Sequence, residues 1–324
     1  MTTLRHVERL VLGRLELNAR IQFSTLGRQI RKSQQQVSYT VNSLVEKGVI
    51  RQFYPLMDYS KLDSLNFRVY FKVVYISQEK FDEMVQYLIA EPHTAWIAGC
   101  GGRYDLICTF LALNPSQFNK TLRGIMEKFP EQLQNYTVLT TIVITQFGRK
   151  YLFRHDLLPA VIIGGDRKPE KVDETDLHIL QVLAEDGRAS AVRIGQLFSM
   201  SPKTVIERIK RLQERKIILG FRPSLNPRKM NYISALLTIK YHNISIEMEK
   251  SLISHLKAHP NVVSIAKTLG EWDIEIITEA PDIMELRKTE MEIRQKFTVL
   301  IQQIESVPLY KIYKTNFFPK FLVG

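Results

Sequence analysis

Cysteine is nearly absent from this chain: Cys100 and Cys108 are the two among 324 residues. That excludes a disulfide framework and a multi-cysteine zinc site, and it suits a reducing compartment. Cys108 falls in an apolar strand pattern, where a thiol packs as a small hydrophobe. Also missing are apolar runs of the roughly 20 residues needed to span a bilayer. The start MTTLRHVERL has no signal-peptide core, so a cytoplasmic location is expected. Catalytic constellations are equally scarce, because no Ser/His/Asp or Cys/His arrangement recurs in both halves. His255 and His259 have a spacing that could ligate a metal, but no acidic residue follows the first, and Tyr87 and Glu91 occupy the matching places in the first half. They read as surface residues. No metal, cofactor or catalytic residue is expected.

What is present is an ordinary globular composition, with 45% hydrophobic and 24% charged residues, long enough for two or more cores. The net charge of +12 is concentrated. Residues 188–222 hold nine Lys and Arg against Glu207 and Glu214, a balance of +7, and residues 20–54 hold six against Glu46, a balance of +5. Localised positive charge is what a phosphate backbone attracts. Within the richer window, Ser201 is a good N-cap, Pro202 fits a first helical turn, and Val205, Ile209 and Leu212 form one apolar face. The other face carries Lys203, Thr204, Arg208, Lys210 and Arg211. Alone it would read as a solvated surface helix.

The rest of the chain changes that reading, because the sequence repeats itself. Ser201 falls on Ser33, Val205 on Val37, Leu212 on Leu44, Pro260 on Pro92 and Asp273 on Asp105, all in one register of 168 residues without gaps. A tandem duplication is expected. In each copy two short helices precede the basic one, and a stretch such as Ile217 to Leu225, alternating around Gly220, reads as a small hairpin. Three helices and a wing make a winged helix-turn-helix. The remainder reads β-α-β-β-α-β, the ferredoxin-like unit. The expected class is therefore α+β, two repeats of a winged helix-turn-helix followed by a ferredoxin-like domain. The boundaries are 1–60, 61–150, a linker at 151–171 rich in Pro and Gly, 172–228 and 229–324.

The strings VDETDLHILQVLAEDGRAS and SPKTVIERIKRLQERKIILGF, with the turns Gly270-Glu271-Trp272-Asp273 and Gly102-Arg103-Tyr104-Asp105, resemble the Lrp/AsnC family of transcriptional regulators. The resemblance is stronger in the second half; the first has Arg5, His6, Val7 and Glu8 in place of the acidic Asp173 to Asp176. It implies a regulator that binds double-stranded DNA, self-associates through its ferredoxin-like domains, and responds to a small effector such as an amino acid. The recognition helices would be Ser201 through Arg215 and Ser33 through Lys47. The second offers Ser201, Lys203, Thr204, Arg208, Lys210 and Arg211, with Arg222 after it. The first offers Ser33, Gln35, Gln36, Tyr39 and Thr40, preceded by Arg31 and Lys32; its Gln side chains suit adenine edges. The resemblance puts Gly102, Asp105, Gly270 and Asp273 at an effector site. The run Gly99-Cys100-Gly101-Gly102 is followed by a strand, so it reads as a hairpin turn and not a nucleotide loop. Siroheme decarboxylases share the two-domain plan and form the alternative. Here Ser264 to Lys267 and Gly270 to Asp273 look like the regulators.

Overall fold

The computed structural model describes residues 4–153, 159–242 and 245–323. Helices α1 (His6–Leu17), α2 (Phe23–Ile30) and α3 (Gln34–Glu46) lead into strand β1 (Ile50–Met57). Then come β2 (Leu65–Val73), α4 (Gln78–Ala90), β3 (Thr94–Cys100), β4 (Leu106–Ala112), α5 (Pro115–Lys128) and β5 (Leu133–Gln146). A short strand, β6 (Val161–Gly164), precedes the second series. That series is α6 (Glu174–Glu185), α7 (Ala191–Leu197), α8 (Pro202–Glu214), β7 (Ile218–Leu225), β8 (Ile233–Tyr241), α9 (Ile246–Ala258), β9 (Val262–Leu269), β10 (Ile274–Ala280), α10 (Ile283–Lys296) and β11 (Ile301–Thr315). Every element of the second series starts 168 residues after its counterpart, as the register of the sequence requires. No helix among the described residues is long and apolar enough to cross a membrane.

The two ferredoxin-like sheets do not merely stack; they join. The strand order β2-β4-β3-β11-β8-β10-β9-β5, with β5 returning to β2, closes eight antiparallel strands into a barrel. Alternation along each strand decides the two faces. Phe67, Val69 and Phe71 of β2 point outward and pack under Met84, Leu88, Phe118 and Leu122 of α4 and α5. Tyr70, between them in sequence, faces an interior cluster with Trp96, Tyr104, Leu236 and Trp272. Closure removes the free edges that two open four-stranded sheets would expose.

The expected hairpin after each third helix is instead a single strand. β1 and β7 pair with each other, antiparallel, with Tyr54 opposite Arg222 and Phe53 opposite Pro223. The exchange between repeats is reciprocal. Ala19 donates its backbone N–H to Phe221 at 2.9 Å, and Gly187, its counterpart, donates to Phe53 at 2.7 Å. Arg20 donates to the carbonyls of Gly187 and Ala189, while Arg188 donates to those of Ala19 and Ile21. Each three-helix core is finished by the other repeat: Ala19 and Met57 enter the second, Leu225 and Met230 the first. The two arginines that the charge count assigned to a phosphate-binding surface are thus clasps between the helix units. At Gly187 a Cβ would sit 2.7 Å from the backbone of Phe53 and Tyr54. Gly187→Ala is expected to destabilise the fold by about 1 to 3 kcal/mol through overpacking, read as a lower urea midpoint.

The expected linker is also partly structured. Val161–Gly164 pairs with Val143 to Gln146 at the edge of β5, because a run of Val and Ile can add a strand even beside Gly164 and Gly165. Residues 154–158 of that linker lie outside the described residues.

Candidate nucleic-acid interface

Helix α8 begins as its sequence requires. Ser201 caps it, accepting from the backbone N–H of Thr204 at 3.1 Å, and its hydroxyl lies 2.8 Å from that of Thr204. Val205, Ile209 and Leu212 are buried against α6 and α7. Lys203 and Lys210 are exposed on the opposite side, Lys210 with Glu214 at 3.6 Å and Lys203 without an ion pair among the described residues. Helix α3 starts with a capping box: Ser33 accepts from the N–H of Gln36, whose side chain returns to the N–H of Ser33. Gln34, Gln35, Tyr39 and Asn42 are exposed, and Tyr39 is 70% accessible. Arg31 and Lys32 precede them, exposed, with Arg31 in the left-handed region at φ 56°.

Four of the residues expected at DNA are engaged within the protein. Arg208 binds Asp173 and Asp176 at 2.7 Å each, and Arg211 reaches Asp176 at 3.2 Å. Asp176 is 1% exposed, so its charge must be met from α8. Both arginines therefore hold α8 to α6. Thr40 is buried and donates its hydroxyl to the carbonyl of Gln36 at 2.7 Å, which satisfies it inside its own helix. Arg222 is 6% exposed on β7 and turns toward the barrel, away from the surface of α8. Arg208→Ala is accordingly expected to lower stability by about 1 to 3 kcal/mol, whereas Lys203→Ala should stay within about 0.5 kcal/mol of wild type. Urea unfolding of the two variants checks this.

The first repeat solves the same problem with other residues. Glu8, the counterpart of Asp176, is 2% exposed and pairs with Arg5 and Lys47, each at 3.0 Å. Burial pushes its carboxyl up, but hydrogen bonds from the Arg5 side chain and backbone and from Lys47 outweigh this and hold it at about 2. A depressed native value contributes stability above the unfolded carboxyl range near 4.3, and that contribution is lost as pH falls toward 2. Glu8→Gln should therefore flatten the loss of stability between about pH 4 and 2. Unchanged acid unfolding would contradict it.

The four residues expected at an effector site occupy two turns that meet at one end of the barrel. Arg103 and Glu271, 168 residues apart, form an ion pair across them. Asp105 accepts from the N–H of Val73 and Asp273 from that of Tyr241, both at 2.8 Å, and they pair with Lys72 and Lys240. Gly102 and Gly270 have positive φ. These carboxylates are strand staples. Of the two histidines expected at the surface, His259 is instead buried beside Glu292, because its ring packs under the helix end, and His255 is half-buried near Lys296; the described residues contain no group of three or more metal-ligating side chains. Burial pushes the Cys100 thiol up to about 12, which makes it unreactive.

One feature was not anticipated from the sequence. Under the β1–β7 ribbon, at the mouth of the barrel, lies a cavity of about 180 Å³ lined by charged side chains that include Arg68, Arg149, Glu275 and Glu279. A signal existed: Arg68 interrupts Phe67-Arg68-Val69-Tyr70-Phe71, a strand whose alternation leaves no solvent face.

The helix units and the closed barrel together define a two-repeat chain of helix-turn-helix and ferredoxin-like domains. The AsnC-type helix-turn-helix domain matches residues 172–213, which span α6 to α8. The HTH-type transcriptional regulator Ptr1 of Methanocaldococcus jannaschii is 34% identical over 118 residues, covering 36% of this chain and 78% of that protein. The HTH-type transcriptional regulator FL11 of Pyrococcus furiosus is 27% identical over 137 residues, covering 42% and 83%. The chain belongs to this AsnC-type family of helix-turn-helix transcriptional regulators. The crystal structure of the siroheme decarboxylase NirDL has the same fold end to end, with a TM-score of 0.62 over 97% of this chain and 95% of that one, at 14% identity.

Proposed function

We propose that the chain is a sequence-specific transcriptional regulator that binds double-stranded DNA with both of its third helices, acts without a catalytic step and resides in the cytoplasm. The observation that carries this is the match of the AsnC-type domain to the helices that present Lys203 and Thr204 outward. Ser201, Lys203, Thr204 and Lys210 in α8, and Arg31, Lys32, Ser33, Gln35, Gln36 and Tyr39 around α3, are the residues assigned to DNA. Arg208 and Arg211 contribute by holding α8 in place. The gapless register of 168 supports a tandem duplication, with domains at 1–60, 61–150, 172–228 and 229–324. It also supports a monomer that does the work of a dimer. An amino-acid effector acting near the turns of Gly102 and Gly270 completes this reading.

Selection from a pool of random duplexes tests it. Enrichment of a common sequence is expected, and a pool that stays random after repeated rounds would sink the proposal. The second reading, a siroheme decarboxylase, has the end-to-end fold likeness in its favour. Against it, no histidine or cysteine lines the central cavity among the described residues, and histidine is the commonest general acid or base. Incubation with siroheme separates the two: a shifted absorption spectrum with release of carbon dioxide would favour the enzyme.

A further inference from the structure

The central cavity sits on the pseudo-twofold axis of the chain. Tyr54 and Arg222 are equivalent positions and face each other in the ribbon. Arg68 and Leu236, and Trp96 and Ser264, are also equivalent pairs, and both members of each line the cavity. A symmetric assembly of one repeat would present the same side chain from both sides. Here the pairs have become unlike: Arg68 against Leu236, Tyr54 against Arg222, and Glu275 and Glu279 where the first repeat has Ile107 and Leu111. The lining is therefore asymmetric about that axis, with charges from both repeats at non-equivalent positions, which a structural filler of a symmetric void does not require.

The charges do not balance. Six cations line the space, Arg51, Arg68, Arg149, Arg222, Arg228 and Lys311, against Glu16, Glu275 and Glu279. Arg68 donates to Glu275 at 2.8 Å, and Arg149 bridges Glu16 and Glu279 at 2.7 and 3.0 Å, which leaves one carboxylate charge against the other four cations. Arg222 is buried to 6% exposure, yet its contacts are a long 3.4 Å hydrogen bond to Gln146 and a 4.0 Å approach to Glu16. The Nε of Arg68 is buried without a partner. Arg51 is half-buried and has no ion pair among the described residues. A buried guanidinium left short of acceptors is unfavourable unless an anion supplies them. The rest of the wall is mixed, with Trp96, Leu236, Leu309 and Phe317 as its apolar part beside polar groups such as Gln146, Ser234 and Ser264.

We propose that this cavity is a binding site for one small amphipathic organic carboxylate, its carboxylate toward Arg222 and Arg51 and its apolar body against Trp96 and Leu236. The site draws on both ribbon strands and on both halves of the barrel, so a molecule bound there touches the helix units and the sheet together. The assignment stands whether or not the chain binds DNA.

Calorimetric titration and thermal unfolding of the full chain test it with four probes: 3-phenylpropanoate, 4-methylpentanoate, succinate and the uncharged 3-phenylpropan-1-ol. One of the two amphipathic carboxylates is expected to bind with one molecule per chain and a dissociation constant below about 1 mM, raising the melting temperature, and the alcohol is expected to bind at least about tenfold more weakly. Arg222→Leu should reduce that affinity by about tenfold or more. Arg51→Met, at a position with solvent access, should reduce it while the chain stays folded by circular dichroism. Absence of binding by both amphipathic carboxylates at about 10 mM would overturn the assignment. So would equal binding of the alcohol, tighter binding of succinate, or affinity unchanged in both variants.

Discussion

Between 50 and 200 mM salt, the affinity of this chain for duplex DNA is expected to fall about a thousandfold, the loss that six phosphate contacts produce by counterion release. The cations available for such contacts are fewer than the net charge of +12 implies. Arg20 and Arg188 clasp the two helix units, Arg208 and Arg211 hold Asp176, Arg215 pairs with Glu170, and Arg222 is buried. Arg28, Arg31 and Lys32 in the first repeat and Lys203, Lys210 and Lys216 in the second remain exposed. Lys32→Ala and Lys203→Ala should each weaken binding to all sequences and lower the slope of log affinity against log salt by about 0.9. Filter binding or fluorescence anisotropy across a salt series measures this. A slope near zero in the wild type would remove the basis for placing α3 and α8 on DNA.

Arg149→Met is expected to cost about 3 to 5 kcal/mol of stability, because it strands two carboxylates in the interior. Glu16 is 1% exposed and Glu279 3%, and the arginine meets Glu16 at 2.7 Å and Glu279 through two nitrogens at 3.0 Å. Tyr151 adds a hydroxyl to Glu279 at 2.5 Å, too little to replace a cation. The effect belongs to the network and not to the arginine alone. Replacing Glu16, Arg149 and Glu279 together by methionine should recover most of the loss, since an apolar trio of similar volume carries no stranded charge. Urea denaturation of the single and triple variants decides the matter; a single variant within about 1 kcal/mol of wild type would show that water or rearrangement reaches the carboxylates.

The contrast between Lys203 and Arg208 shows where sequence reasoning reaches and where it stops. Helix positions were legible because spacing and caps are local: Ser201, Pro202 and the Val205, Ile209, Leu212 stripe determine α8. The repeat was legible because it is a statement about sequence alone. Charge has no such local direction. Arg208 lies on the polar side of the helix, and Asp173 and the buried Asp176, the latter 32 residues earlier, turn it inward. The wing strand failed for a related reason. Ile218 to Leu225 alternates as a hairpin arm would, yet its hydrogen-bonding partner is β1, far away in the chain, and nothing in the strand itself names that partner. The cavity needed both kinds of long-range knowledge, since Arg68 and Glu275 meet across 207 residues.

The ribbon and the closed barrel have a consequence for how the protein behaves when scarce. Two separate chains that share a barrel fall apart on dilution, because their association carries a concentration term. Here the partner surfaces are tethered within one molecule, so the paired state persists at any copy number. Formation of the paired helix units then sets no concentration threshold of its own.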